Sequence, residues 1–90
     1  MSKTVILFFD PDNTNRDAAK QYAEDVKVKT GANSMAVNFF SSSMDDLALV
    51  SKHRIVALPT VVVLDKNKVV GRFLSLIDID VLADVISKED

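Results

Sequence analysis

The sequence predicts an α/β domain in which a mixed sheet is flanked by helices, and two features of the sequence indicate this. Apolar runs rich in β-branched and aromatic residues, typical of buried strands, alternate with segments whose apolar residues recur at the helical period. Towards the C-terminus, two apolar runs are separated by only four polar residues, which favours an antiparallel hairpin. The predicted order of elements is β-α-β-α-β-β-α.

The first strand and the first helix are predicted from a change in periodicity. Residues 4–9 (TVILFF) form a continuous apolar run that predicts a central strand buried on both faces, and Asp10 and Pro11 end it. The next apolar residues follow the helical period, and Gly31 is in place for a C-terminal cap. Three residues are candidates for the N-cap of this helix: Asp12, Asn13 and Thr14.

A second strand and a second helix are predicted next. Residues 34–40 (SMAVNFF) predict a strand, and because a whole helix precedes it, we expect it to be parallel to the first, joined by a right-handed crossover. Ser43 is expected to cap a short helix. The inward stripe of that helix is predicted to consist of Met44, Leu47 and Val50.

The last part of the chain predicts a hairpin and a helix. Residues 60–64 (TVVVL) and 69–74 (VVGRFL) are expected to be antiparallel strands. The polar loop between them consists of Asp65, Lys66, Asn67 and Lys68. Asp78 is expected to cap a final helix. The apolar residues of this helix recur at the helical period, and they are Ile79, Leu82, Ala83 and Ile86. All these elements are expected to form one domain over residues 1–90.

Composition narrows the classes of function. A net charge of −2 with scattered lysines and arginines provides no basic patch of the kind that binds nucleic acids. No apolar run is long enough for a signal-peptide core or a membrane span, so we expect a cytoplasmic protein without a membrane partner. The chain contains no cysteine, which removes chemistry that depends on a thiolate.

One segment carries a family resemblance. Residues 52–60 (KHRIVALPT), followed by an apolar strand, a polar turn and an amphipathic helix, resemble the C-terminal half of thioredoxins. Residues 5–28 are similar to the strand, active-site loop and second helix of that family, so the resemblance covers nearly the whole chain. It implies a four-stranded mixed sheet in the order 2-1-3-4. It also implies a cis peptide bond before Pro59, which would face the N-terminus of the long helix.

The sequence departs from the thioredoxin pattern at the residues that carry the family's chemistry. The positions of the two-cysteine motif are occupied by Asn13, Thr14, Asn15 and Arg16. Leu7 replaces the buried acidic residue that helps thioredoxins move protons, and Ser75 replaces the usual glycine beside the proline. Thiol–disulfide exchange requires a thiolate nucleophile, which none of these side chains supplies. The sequence therefore predicts a redox-inactive thioredoxin-like protein that is not an enzyme and holds no cofactor.

The remaining candidate is a surface for a protein partner. The resemblance implies that the backbone N–H and C=O of Leu58 point outward, where they can pair with an extended peptide. We therefore predict a protein-binding or accessory module that uses the groove beside Pro59. The residues expected to line this groove, at one end of the sheet, are Asn13, Thr14, Asn15, Arg16, Val56, Ala57, Leu58, Pro59 and Ser75.

Two alternatives stay open. The hydroxyl of Thr14 at a helix N-terminus resembles the group that some glutathione transferases use to hold a thiolate, which predicts a glutathione-binding or other small-molecule enzyme. Three nearby aspartates outnumber Arg16, which opposes an anionic ligand there. The chain also resembles KaiB-like clock proteins, with an Asn-Thr pair at residues 13–14 and an Ala-Leu-Pro-Thr segment at residues 57–60, which predicts a different protein-interaction module.

Neither a metal site nor a catalytic histidine is predicted. Residues 10–17 carry oxygen ligands at alternate positions, as calcium loops do, but Asn15 stands in place of the glycine and Gln21 in place of the glutamate. His53, the only histidine, has no nucleophile or second ligand near it in the sequence. We expect this side chain to be packed or solvated rather than reactive.

Overall fold

The computed structural model describes residues 3–66 and 68–88. Within them, the chain follows the predicted order β-α-β-α-β-β-α. The elements are β1 (Lys3–Phe9), α1 (Arg16–Thr30), β2 (Asn33–Asn38), α2 (Met44–His53), β3 (Thr60–Asp65), β4 (Lys68–Phe73) and α3 (Ile79–Lys88). Asn67, which belongs to the predicted hairpin loop, lies outside the described residues.

The four strands form one mixed sheet. Its order is β2-β1-β3-β4, which confirms the predicted order 2-1-3-4. β1 is parallel to β2 and antiparallel to β3, and β3 is antiparallel to β4. Phe8 is paired with Thr60, and Val61 is paired with Phe73. The C-terminal ends of β1 and β4 therefore lie at the same end of the sheet as the start of β3.

Side chains of the two central strands are buried on both faces of the sheet. Leu7 belongs to the core cluster that contains Val26 of α1 and Leu82 of α3. Phe8 belongs to the cluster on the opposite face, against which Val50 of α2 packs. Because successive side chains of a strand point to opposite faces, the continuous apolar run of β1 supplies both cores. Helices α1 and α3 therefore cover one face, and α2 covers the other.

Helix α1 begins later than the sequence analysis expects. It starts at Arg16, and its N-cap is Asn15, whose side-chain oxygen accepts a hydrogen bond from Asp17 N–H at 2.7 Å. The predicted N-caps Asp12, Asn13 and Thr14 are wrong. These residues lie in a turn before the helix, in which the carbonyl oxygen of Asp10 accepts hydrogen bonds from the N–H groups of Asn13 and Thr14. Gly31 caps the C-terminus with a φ of 75°, as predicted.

Helix α2 packs on a face that differs from the predicted one. Ser43 precedes the helix as expected, but its side chain makes no capping hydrogen bond. Met44 and Leu47 are exposed, whereas Leu49 and Val50 pack against the core. The predicted stripe is therefore wrong for two of its three members. Several apolar positions of this short helix compete, and its packing on the sheet selects among them.

The remaining boundaries lie within two residues of their predicted positions. Strand β2 ends at Asn38 rather than at residue 40, because the side-chain oxygen of Asn38 accepts the Phe40 N–H at 2.8 Å and the chain turns there. Asp78 caps α3 as predicted, since its carboxylate accepts the Asp80 N–H at 2.8 Å. Leu82 is completely buried, which confirms it as an inward position of α3.

A tyrosine on α1 ties this helix to the segment before α3. The hydroxyl of Tyr22 donates a 2.6 Å hydrogen bond to the carbonyl oxygen of Ile77. Burial raises the pKa of Tyr22, and the nearby charge of Asp78 raises it further, so the hydroxyl remains a donor over the whole neutral range.

We expect Tyr22→Phe to lower the free energy of unfolding by about 1 kcal/mol, measured by urea denaturation. An unchanged unfolding midpoint would contradict this role.

Candidate functional site

The segment between α2 and β3 carries the central residues of the predicted groove. The peptide bond between Leu58 and Pro59 is cis. The hydroxyl of Thr60 donates a 2.5 Å hydrogen bond to the carbonyl oxygen of Ala57, which folds the segment onto the start of β3. Val56 is 92% exposed, whereas Leu58 packs partly against the core cluster of Phe8. An apolar side chain is thus presented to solvent beside a segment anchored on the core.

The backbone of this segment keeps hydrogen-bonding capacity. Among residues 3–66 and 68–88, neither the N–H nor the C=O of Leu58 has a hydrogen-bond partner. Each such group is satisfied by solvent or by a bound molecule, because backbone polar groups are rarely left without a partner. An extended peptide could therefore bind both groups by adding as a strand.

The loop before α1 is organised by one aspartate. The carbonyl oxygen of Asp10 accepts the N–H groups of Asn13 at 3.0 Å and Thr14 at 2.7 Å. Its carboxylate accepts the side-chain amide of Asn13 at 2.8 Å and the N–H of Asp12 at 2.9 Å. The side chain of Asn13 is therefore already engaged within the loop. Thr14 is half-buried and precedes the cap residue Asn15, so it lies outside the first turn of the helix.

Ser75 lies in an exposed segment that follows β4. Its carbonyl oxygen accepts the N–H of Ile77 at 2.9 Å, and exposed leucines flank it at positions 74 and 76. Leu74 and Leu76 were not among the residues predicted for the surface at this end of the sheet. The signal that could have indicated them is the position of these leucines on either side of Ser75, shortly before the predicted cap Asp78.

The sheet register places three of the predicted segments at one end of the molecule. Asp10 follows the last residue of β1, Pro59 precedes the first residue of β3, and Ser75 comes two residues after the end of β4. Arg16 differs from these, since it lines a cleft on the other side of β1, together with Lys20 and Asn38. The use of the groove beside Pro59 by a partner stays a prediction.

His53 is a buried residue whose side chain has an unusual environment. It is 5% exposed, its ring lies 6.1 Å from the ring of Phe8, and among the described residues its Nε2 atom has no hydrogen-bond partner. Its carbonyl oxygen accepts a 2.7 Å hydrogen bond from Arg72, which ties the end of α2 to β4. Burial lowers the pKa of His53, and the positive charges of Lys52 and Arg72 lower it further.

Two further observations concern metal ions and membranes. Within the described ranges, no group of three or more histidine, cysteine, aspartate or glutamate side chains is arranged to hold a metal ion. The helices of the same ranges include none with the length and apolar character that a membrane span requires.

Comparisons with known proteins support a fold rather than a close relative. No protein-family model and no curated protein matches the sequence. Among solved structures, an N21Q mutant thioredoxin from Halobacterium salinarum is 20% identical, with a TM-score of 0.75 over 97% of this chain and 74% of that chain. Thioredoxin 1 from Thermosipho africanus is 14% identical, with a TM-score of 0.70 over 96% and 92% of the two chains.

A plant protein is equally similar in structure. Thioredoxin f from spinach chloroplast is 16% identical, with a TM-score of 0.72 over 99% of this chain and 78% of that chain. The sheet order and the positions of the helices agree with the fold of these thioredoxins. The sequence contains no cysteine. The chain therefore has a thioredoxin-like fold that lacks the two-cysteine motif.

Proposed function

We propose that this protein is a redox-inactive, thioredoxin-like binding module that recognises an extended segment of a protein partner in the groove beside Pro59. One observation carries the proposal: Val56 exposes 92% of its surface next to Leu58, whose backbone donor and acceptor have no partner within the described residues. This combination matches recognition by strand addition, in which backbone hydrogen bonds supply affinity and apolar side chains supply specificity.

The energetic case depends on burying exposed apolar surface. Covering one valine side chain contributes up to about 1.5–3 kcal/mol, and each backbone hydrogen bond adds about 0.5–1.5 kcal/mol. Two more exposed apolar side chains, Leu74 and Leu76, follow β4 at the same end of the sheet. A partner segment with apolar side chains at alternate positions would suit such a groove.

The proposal does not include catalysis. Without cysteine, the chain cannot carry out the thiol–disulfide exchange of redox-active thioredoxins. The single histidine is buried against Phe8 and is therefore withdrawn from solvent. Thr14 and Asn13 lie in a loop whose hydrogen bonds converge on Asp10, and no contact of these residues favours a glutathione enzyme. The partner in our proposal is a protein rather than a nucleic acid or a membrane.

A pair of matched valine variants tests the groove. Val56→Asp places a charge in the proposed interface, whereas Val28→Asp places the same charge on α1, at the opposite end of the sheet. Both valines are exposed, by 92% and 76%, so neither substitution removes a buried contact. Peptides selected from a displayed library against the wild-type protein are expected to bind Val28→Asp normally and Val56→Asp at least tenfold more weakly.

The site of binding is checked independently by NMR. Titrating a selected peptide into isotope-labelled wild-type protein is expected to shift the amide signals of Val56 and Leu58. Equal affinity for the two aspartate variants, or shifts confined to other segments, would contradict the proposed groove. Partners captured from a source lysate with the same two baits would then identify natural candidates.

A further inference from the structure

A concave site lies on the β2 side of β1, away from Pro59. It is a cleft of about 460 Å³ between α1, the end of β2 and the start of α2. This volume falls within the range of about 300–1,000 Å³ that is typical of small-molecule sites. The residues that line it are Phe9, Arg16, Lys20, Ala36, Asn38, Phe40, Ser41, Ser42 and Asp46.

The chain topology explains why a cleft forms at this position. β1 and β2 are adjacent and parallel, so their C-terminal ends lie side by side. After β1 the chain continues into α1 on one face of the sheet, and after β2 it continues into α2 on the opposite face. The two connections diverge and leave a crevice between them. In open α/β sheets, such crevices at the carboxyl ends of strands are where ligands bind.

Two cations lie on one wall of this cleft. Arg16 and Lys20 are four residues apart on α1 and therefore lie on the same face of the helix. Within residues 3–66 and 68–88, neither forms an ion pair, whereas Lys29 on the same helix pairs with Asp80 at 2.9 Å. Asp10, Asp12 and Asp17, the three aspartates that oppose an anion at Thr14, are not among the residues that line this cleft, so the positive charge of this wall is available to an anionic ligand.

The opposite wall supplies neutral hydrogen-bond donors held in place by the backbone. The side-chain oxygen of Asn38 accepts the Phe40 N–H at 2.8 Å, which leaves its amide group to donate. The hydroxyl oxygen of Ser41 accepts the Ser43 N–H at 3.1 Å, which leaves its hydrogen to donate. Both side chains are oriented before any ligand arrives, which lowers the entropic cost of binding.

The cleft also has an aromatic wall and one acidic group. Phe40 is 64% exposed, and Phe39 contacts it edge-on, with 5.1 Å between the ring centroids. The exposed ring can stack on a planar group of a ligand. Asp46 is the one carboxylate among the lining residues, and it can accept hydrogen bonds from hydroxyl or amino groups.

We propose that this cleft binds a phosphate monoester that carries a planar ring. Arg16 and Lys20 would hold the phosphate, with additional donors from Asn38 and Ser41, and the ring would lie against Phe40. A dianionic phosphate uses both cations, whereas an uncharged ligand would leave them unpaired. The cleft lies on the β2 side of β1, whereas the groove beside Pro59 lies on the β3 side, so the two sites do not overlap.

The test uses adenosine monophosphate as the probe and NMR titration as the measurement. The amide signals of Lys20, Asn38 and Ser41 are expected to shift with the nucleotide. Lys20→Gln is expected to weaken binding about tenfold, since losing a hydrogen bond to a charged group typically lowers affinity by at least about this factor. Lys27→Gln is the matched control, because it removes the same charge from an exposed residue of α1 outside the cleft, and its affinity is expected to equal that of wild type.

Two smaller probes separate the contributions of phosphate and ring. Inorganic phosphate is expected to shift the same amides with weaker affinity, and adenosine is expected to leave the amide of Lys20 unchanged. The proposal would be overturned if adenosine bound as tightly as adenosine monophosphate, or if Lys20→Gln and Lys27→Gln bound the nucleotide equally well. The absence of binding at millimolar nucleotide would also overturn it. The wild-type titration does not depend on any variant, so a folding defect cannot hide the answer.

Discussion

Replacing Phe8 with alanine is expected to lower the free energy of unfolding by about 3–5 kcal/mol. Phe8 is 0% exposed and lies on central strand β1, where its ring joins the cluster beneath α2 and contacts His53. Truncation leaves a cavity bounded by the backbone of three paired strands, which limits collapse of the surrounding side chains. Since small domains have a total stability of about 5–15 kcal/mol, the variant should be close to its unfolding threshold.

Phe40→Ala is the matched control for this experiment. Phe40 is 64% exposed and its ring forms a T-shaped pair with that of Phe39, so we expect a loss of about 1 kcal/mol or less. Urea denaturation of both variants, followed by circular dichroism, measures the difference. Similar losses in the two variants would contradict the assignment of Phe8 to the core.

Acidification is expected to destabilise the protein through His53. The pKa of this residue is lowered in the folded protein by burial and by the charges of Lys52 and Arg72, whereas the unfolded chain retains the ordinary value near 6.5. The unfolded state therefore takes up a proton more readily than the folded state. The resulting stability is complete above pH 6.5 and is lost as the pH falls towards the folded pKa.

His53→Phe isolates this effect from the titration of carboxylates. Phenylalanine preserves an aromatic contact with Phe8 and leaves no buried nitrogen without a partner. Between pH 7.5 and pH 5, the urea midpoint of the wild-type protein is expected to fall more steeply than that of the variant. Parallel curves for the two proteins would show that His53 does not carry the pH dependence.

Much of the fold follows from local rules that the sequence states directly. The apolar run of β1 leaves no face suited to solvent, which predicted a central strand, and its residues 5–9 are buried. Gly31 and Asp78 act as caps where predicted, because capping depends on a residue's own conformation and on neighbours a few positions away. The thioredoxin resemblance added the strand order, which the sheet confirms.

The predictions that were wrong concern the N-cap of α1 and the buried face of α2, where several neighbouring residues suited the same role. Three consecutive polar residues were the predicted N-cap candidates of α1, but hydrogen bonds to Asp10 hold two of them in a turn and Asn15 caps the helix instead. Helix α2 offered more apolar positions than its contact with the sheet could bury, so Met44 and Leu47 were left exposed. Choices of this kind depend on contacts between distant segments, which no local pattern contains.

The candidate sites show the same division. By itself, the sequence determined the element types, the central position of β1 and the absence of the two-cysteine motif, because these depend on periodicity and on the presence of particular side chains. Only the tertiary structure decided that Arg16 and Lys20 share a cleft with Asn38 and Ser41, and that His53 is buried without a partner for its Nε2 atom within the described residues. The physical reason is that a cleft or a buried nitrogen is created by elements that meet in space.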